Sequence, residues 1–122
     1  MMQTENEEFW LLLDRLVCEN RIVIDRPKGS RHPKYHDYIY PLDYGYLEGT
    51  TSGDKAGIDV WRGSLSDQSV NAVICSVDYL KKDSEIKILC GCTSDEIKKI
   101  YVDHNRGSGM KGVLICRDTS IS

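Results

Sequence analysis

Short β-branched segments set off by turn residues, two helix-start signatures, and no repeated strand–helix alternation together predict a small mainly-β or α+β domain. The chain has 122 residues, 40% hydrophobic and 29% charged. That makes one domain, residues 1–122, with enough apolar content to bury a modest core and too much for intrinsic disorder.

Taken in order, Thr4 and Glu7 form a capping-box pattern ahead of Phe9, Trp10, Leu12, Leu13, Leu16 and Val17, which share one broad helical face. An amphipathic helix over residues 5–18 is expected. Residues 21–25 then read as a strand ended by Pro27 and Gly29, and residues 58–61, 70–77 and 85–89 as further strands rich in β-branched side chains. Thr93 and Glu96 repeat the capping-box pattern before Ile97, Ile100 and Tyr101, so a short helix should run to about Asp103. The glycine-rich 107–112 segment reads as a turn, and residues 113–116 as a last strand. Tyr35, Tyr38, Tyr40, Tyr44 and Tyr46 show the alternation of a strand with one packed face.

A formal charge of -3 gives no electrostatic reason to expect nucleic acid as a partner. The amino terminus lacks a basic start, and the apolar run 9–13 is soon interrupted by Asp14 and Arg15, so neither a signal peptide nor a membrane span is expected. Five cysteines, Cys18, Cys75, Cys90, Cys92 and Cys116, are an odd number set among apolar residues. They read as buried reduced thiols of a cytoplasmic protein. Cys90-Gly91-Cys92 lacks the two-residue spacer of zinc pairs.

The chemistry concentrates in residues 25–60. Asp25-Arg-Pro-Lys-Gly-Ser30, then Lys34-Tyr35-His36, Tyr40-Pro-Leu-Asp-Tyr44-Gly-Tyr46 and Asp54-Lys-Ala-Gly-Ile-Asp59-Val60 gather cations, phenols and carboxylates. Carboxylates collected in one pocket need a neutralising partner, and a hard cation with oxygen ligands is one solution. Lysine and tyrosine supply donors to phosphate oxygens. On spacing alone, a Tyr- and Gly-rich loop region with ordinary surface charge is an equal alternative.

These three motifs, recurring in order, resemble the soluble Mg-dependent inorganic pyrophosphatases of family I, whose patterns are E-x-P-K-G-S-x-x-K-Y-E, Y-P-x-N/D-Y-G-F/Y and D-G-D-P-x-D-V. The match is good over residues 22–60 and continues weakly to about Leu89. The resemblance implies a small closed, five-stranded OB-like β-barrel with an N-terminal and a C-terminal helix, here in trimmed form. It also implies Mg²⁺ as cofactor, and pyrophosphate or a related phosphoanhydride as substrate.

By the same resemblance, Asp54 and Asp59 are metal ligands, joined by Asp78 with Glu85, or by Asp83 in place of Glu85, from a second acidic motif beside Lys87. Lys34 and Tyr44 hold phosphate with Lys87, Tyr40 braces the site, and Asp59, Lys34 and Tyr44 form the catalytic set. A homo-oligomer is implied, and the apolar N-terminal helix with Phe9 and Trp10 could supply its interface.

Departures from the pattern are specific. The central aspartate of D-G-D-P-x-D, linked in the family to activating the attacking water, falls on Ala56, and the proline on Gly57. The glutamates of the first motif become Asp25 and His36, and no room remains between His36 and Tyr40 for the hairpin that carries the family's substrate-binding arginine. Asp43 and His36 are the nearby groups that could compensate for the lost base. The alternative reading is a non-catalytic or re-specialised descendant that binds metal-phosphate or a larger phosphoanhydride such as a nucleotide.

Overall fold

The computed structural model describes residues 6–53 and 56–117, in the order α1 (Glu7–Glu19), β1 (Ile22–Arg26), β2 (Asp43–Leu47), β3 (Ile58–Arg62), β4 (Val70–Asp78), β5 (Asp83–Cys90), α2 (Ser94–Asp103) and β6 (Met110–Cys116). The strands make one six-stranded sheet in the order β1-β2-β3-β5-β4-β6. Every neighbouring pair is antiparallel except β3 and β5, which run parallel.

The α+β class is as expected, but the barrel does not close. β1 and β6 stand at opposite ends of the sheet order, and the described residues form six strands rather than five. The reason lies in the alternation of the central strands, which is apolar on both faces. One face carries Leu47, Val60, Val73 and Ile88 against Trp10 and Leu13 of α1. The other carries Trp61, Ala72, Ile74 and Leu89 against Ile100 of α2. A strand buried on both sides needs a cover on each, and the two helices provide it.

Local chemistry explains the elements. Asn6, not Thr4, caps α1, its side-chain oxygen accepting from the Phe9 N–H at 3.2 Å; Thr4 lies outside the described residues. Trp10 and Leu13 are buried, whereas Phe9, Leu11 and Leu12 remain exposed, so the packed stripe is narrower than the predicted face. The Arg117 guanidinium ties this helix down, donating to both Asp14 carboxylate oxygens at 2.9 and 2.8 Å and to the Val70 carbonyl at 2.9 Å. At α2 the capping box is complete: Thr93 accepts from the Glu96 N–H, and Glu96 accepts from the Thr93 N–H at 2.7 Å.

β2 is the strand that the sequence only hinted at through its tyrosines. Its centre is Gly45, where a side chain would overlap the Val23 carbonyl of β1, so only glycine allows the two strands to pair so closely. Cys90 and Cys92 are buried in separate clusters on opposite faces, and burial raises both thiols to about 12. Cys75 and Cys116 are half-buried and Cys18 is exposed, which corrects the expectation that all five lie inside; all five are free.

Candidate functional site

The two-residue period of the sheet builds the site. Asp59 on β3 pairs with Lys87 on β5 and with Tyr46 on β2, while Tyr44 and Trp61 pair one step along. Directly paired residues share a face, so Tyr44, Asp59, Trp61, Glu85 and Lys87 all project toward the α2 side.

Lys87 is the hub. Its ammonium donates to Asp59 Oδ2 at 2.7 Å, to the Tyr44 hydroxyl at 3.0 Å and to Glu85 Oε1 at 3.4 Å. The side chains are sheltered, with 13% of Lys87, 21% of Asp59 and 14% of Glu85 exposed, so water screens these pairs less than it would at the surface. Burial pulls the Lys87 ammonium down, yet the charge and hydrogen bond of Asp59, with Tyr44 beside it, outweigh burial and hold it above the ordinary lysine value. Burial pushes the Tyr44 phenol up, so it stays a neutral hydroxyl.

An aromatic stack walls this centre. Tyr44 lies 4.4 Å from Trp61 and 5.6 Å from Tyr40 between ring centroids, Tyr40 stacks 6.1 Å from His32, and Trp61 meets His104 edge-on at 6.0 Å. Tyr40 is itself buried in the core cluster, so it stands beside the charged centre as packing.

The remaining residues singled out in the sequence are placed elsewhere. Lys34 sits at the tip of an irregular hairpin formed by residues 29–40, its ammonium 5.8 Å over the Tyr35 ring and exposed. Asp78 and Asp83 face each other at the end of the β4–β5 hairpin, where Asp78 accepts from the Lys81 N–H at 3.1 Å. Asp83 is four residues from Lys87, about 13 Å along an extended strand. Asp54 lies outside the described residues.

Neither suggested substitute for the lost base reaches the centre. His36 is exposed, with Nε2 3.0 Å from the Pro33 carbonyl. Asp43 accepts from the Lys28 N–H at 2.8 Å and from Arg62 at 3.1 Å, and these bonds hold its carboxyl below the usual range. Its partner Arg62 lies on the opposite face from Asp59, three residues along β3.

Sequence reading missed His104. It caps the C-terminus of α2, is buried, and touches Trp61. The signal was present, because residues 97, 100 and 104 fall on one helical face and the first two are apolar.

Among the described residues no group of three or more His, Cys, Asp or Glu side chains is arranged to hold a metal ion. Asp59 and Glu85 are the acidic pair gathered around Lys87.

No family model matches the sequence, and no curated protein matches it. Solved structures do. An inorganic pyrophosphatase from Neisseria gonorrhoeae is similar over 81% of this chain and 83% of its own, at 20% identity and a TM-score of 0.58. An inorganic phosphatase from Anaplasma phagocytophilum is similar over 78% of this chain and 81% of its own, at 17% identity and a TM-score of 0.52. The open sheet and its two helices therefore share the fold of inorganic pyrophosphatases, in a divergent form.

Proposed function

We propose that this protein is a phosphoanhydride hydrolase of the inorganic pyrophosphatase type, acting in the cytoplasm on pyrophosphate with Mg²⁺. The observation that carries the reading is the centre in which Lys87 is held by Asp59, Glu85 and the Tyr44 hydroxyl, built from the residues that match the pyrophosphatase motifs. The shared fold supports it. Five free cysteines suit a reducing compartment.

The described residues bring two carboxylates, Asp59 and Glu85, to this centre, so Mg²⁺ would be held there only with substrate phosphate and water completing its shell. Mg²⁺ is commonly held by one or two carboxylates together with substrate phosphate and water, and Asp59 and Glu85 can provide the two carboxylates. Asp54 is the further ligand that the motif assigns. When bound, the ion would offset charge on the phosphoryl groups and favour attack by water.

The residues themselves have definable parts. Lys87 keeps a permanent positive charge beside the anion, and the Tyr44 hydroxyl is a neutral donor to a phosphoryl oxygen. Both side chains are sheltered, where such interactions are stronger than in water. Lys34, exposed at the hairpin tip, would bind the outer phosphate, and Tyr40 stiffens the wall behind Tyr44. Asp78 and Asp83 would contribute acidic charge at the mouth, away from the reacting bond.

A second reading has its own observation. Lys87 already satisfies both Asp59 and Glu85, so its ammonium competes with a metal ion for them, which favours a re-specialised module that binds a phosphoanhydride such as a nucleotide without metal-assisted turnover. Phosphate release from pyrophosphate with Mg²⁺, abolished in Asp59→Ala, supports the enzyme. Calorimetric binding of pyrophosphate with Mg²⁺ but no release, with any divalent ion, supports the module.

A further inference from the structure

The Lys87 centre does not by itself attract an anion. Two carboxylates, Asp59 and Glu85, meet one ammonium there, and the chain as a whole carries a formal charge of -3. Positive charge stands beside it instead. An unbroken β1–β2 ladder would run on from Ile24 opposite Gly45 to Asp25 opposite Tyr44, but the register shifts at this point and Arg26 takes that place. Bulges of this kind re-aim a side chain. This one sets an arginine, where a regular strand would set a carboxylate, opposite the tyrosine whose hydroxyl holds Lys87.

From Tyr44 the aromatic stack leads through Tyr40 to the half-buried ring of His32, with successive centroids 5.6 and 6.1 Å apart. His32 Nδ1 accepts from the Lys34 and Tyr35 N–H groups at 3.0 Å each, so the proton sits on Nε2, which is a donor. Burial lowers the affinity of this ring for a further proton, and so do the neighbouring groups Arg26, Lys81 from the turn between β4 and β5, Lys34 and His36. Arg26, Lys34 and Lys81 have no carboxylate partner among the described residues, whereas Arg21, Arg62, Arg106 and Arg117 each have one. Lys34 and Lys81 are exposed, so a ligand reaches them directly. Cations gathered without counter-charges in an acidic protein are complementary to a polyanion.

We infer that Arg26, the His32 Nε2–H, Lys34 and Lys81 form a second anion station beside Tyr44, and that it takes the further phosphates of a linear chain of three or more, as in tripolyphosphate or the tail of a nucleoside triphosphate. This substrate class rests on the phosphohydrolase reading above. The guanidinium of Arg26 suits a phosphate through paired N–H donors, and the two lysines add charge without fixed geometry. Pyrophosphate has no phosphate left for this station once its two groups are held at Lys87 and Tyr44. With the longer chain, the water oxygen bonds to the terminal phosphorus as the adjacent bridging P–O bond breaks, and its protons pass to the products and solvent. Tripolyphosphate and water then yield pyrophosphate and phosphate.

The double variant Arg26→Gln/Lys81→Gln tests this, with Lys81→Gln alone, at an exposed turn, as the variant least able to disturb folding. With Mg²⁺, kcat/KM on tripolyphosphate should fall about ten- to a hundredfold in the double variant, through KM, while that on pyrophosphate changes less than about threefold. The same loss on ATP assigns the station to a nucleotide tail as well, and no turnover of ATP confines it to the inorganic chain. Unchanged tripolyphosphate kinetics, or equal losses on tripolyphosphate and pyrophosphate, overturn the station. Calorimetric titration with tripolyphosphate separates this from the hydrolase reading. Wild-type protein that binds it at least about tenfold more tightly than the double variant, yet hydrolyses nothing, keeps the station and removes the hydrolase. Equal affinity in wild type and double variant removes the station whatever the activity.

Discussion

At the scale of single residues the protein is governed by how Lys87 is neutralised. Its ammonium is flanked by two carboxylates and a phenol, so removing it leaves two like charges sheltered together. Breaking a fully buried pair costs roughly 3–5 kcal/mol and an exposed one under about 1. This partly sheltered centre falls between. Lys87→Met should lower unfolding free energy by about 2 kcal/mol in urea titration, and adding Asp59→Asn should recover part of it.

His104 gives a pH signature. Its folded-state affinity for a proton is lowered, chiefly by burial, so the native state binds fewer protons than the unfolded chain just below the ordinary histidine value of about 6.5. Its contribution to stability is fully present above that value and is lost as pH falls through the lowered folded-state value. The melting temperature should drop between pH 7 and 5 more steeply in the wild type than in His104→Asn. Equal slopes would contradict the assignment.

The residues of this centre were only partly legible beforehand. Asp59, Tyr44, Glu85 and Lys87 are singled out by the resemblance to the pyrophosphatase motifs, since spacing alone leaves an ordinary loop region as an equal reading, and strand register then brings them together. His104 is not, since its approach depends on how α2 crosses the sheet, which no local spacing encodes.

Among the elements, α2 matters most, because it carries His104 and closes one face. Its start depends on Thr93 and Glu96, and Glu96 also accepts from the Ser64 N–H at 3.2 Å, tying the helix to the loop after β3. Thr93→Ala should therefore cost about 1 kcal/mol in chemical unfolding, and an unchanged midpoint would show that the cap is redundant. The capping box and the helix were readable from four residues, because a cap is local chemistry.

β2 was harder to read. Pro41 and Gly45 look like turn residues in a linear reading, and only the close approach of the Val23 carbonyl explains why glycine sits inside a strand. Gly45→Ala should destabilise by about 1–3 kcal/mol through overpacking against β1. Full retention of stability would mean that β1 moves away without loss.

For the whole molecule, class and composition were legible, and closure was not. A strand apolar on both faces looks the same in sequence whether its sheet curls into a barrel or lies open between two helices. The cover supplied by α1 and α2 decides the matter. α1 leaves Phe9, Leu11 and Leu12 exposed on its outer side, where the expected homo-oligomer would form. Light scattering after size exclusion should give a mass at least twice that of one chain, reduced to one chain in Leu12→Glu; a monomeric wild type would remove that expectation.

The central claim concerns where the anion binds. Backbone amide shifts recorded by NMR during titration with pyrophosphate and Mg²⁺ address it most directly. The largest changes should fall on Tyr44, Asp59, Glu85, Lys87 and their strand neighbours, and should vanish in Lys87→Met. Shifts confined to another part of the surface, or none at millimolar ligand, would contradict it.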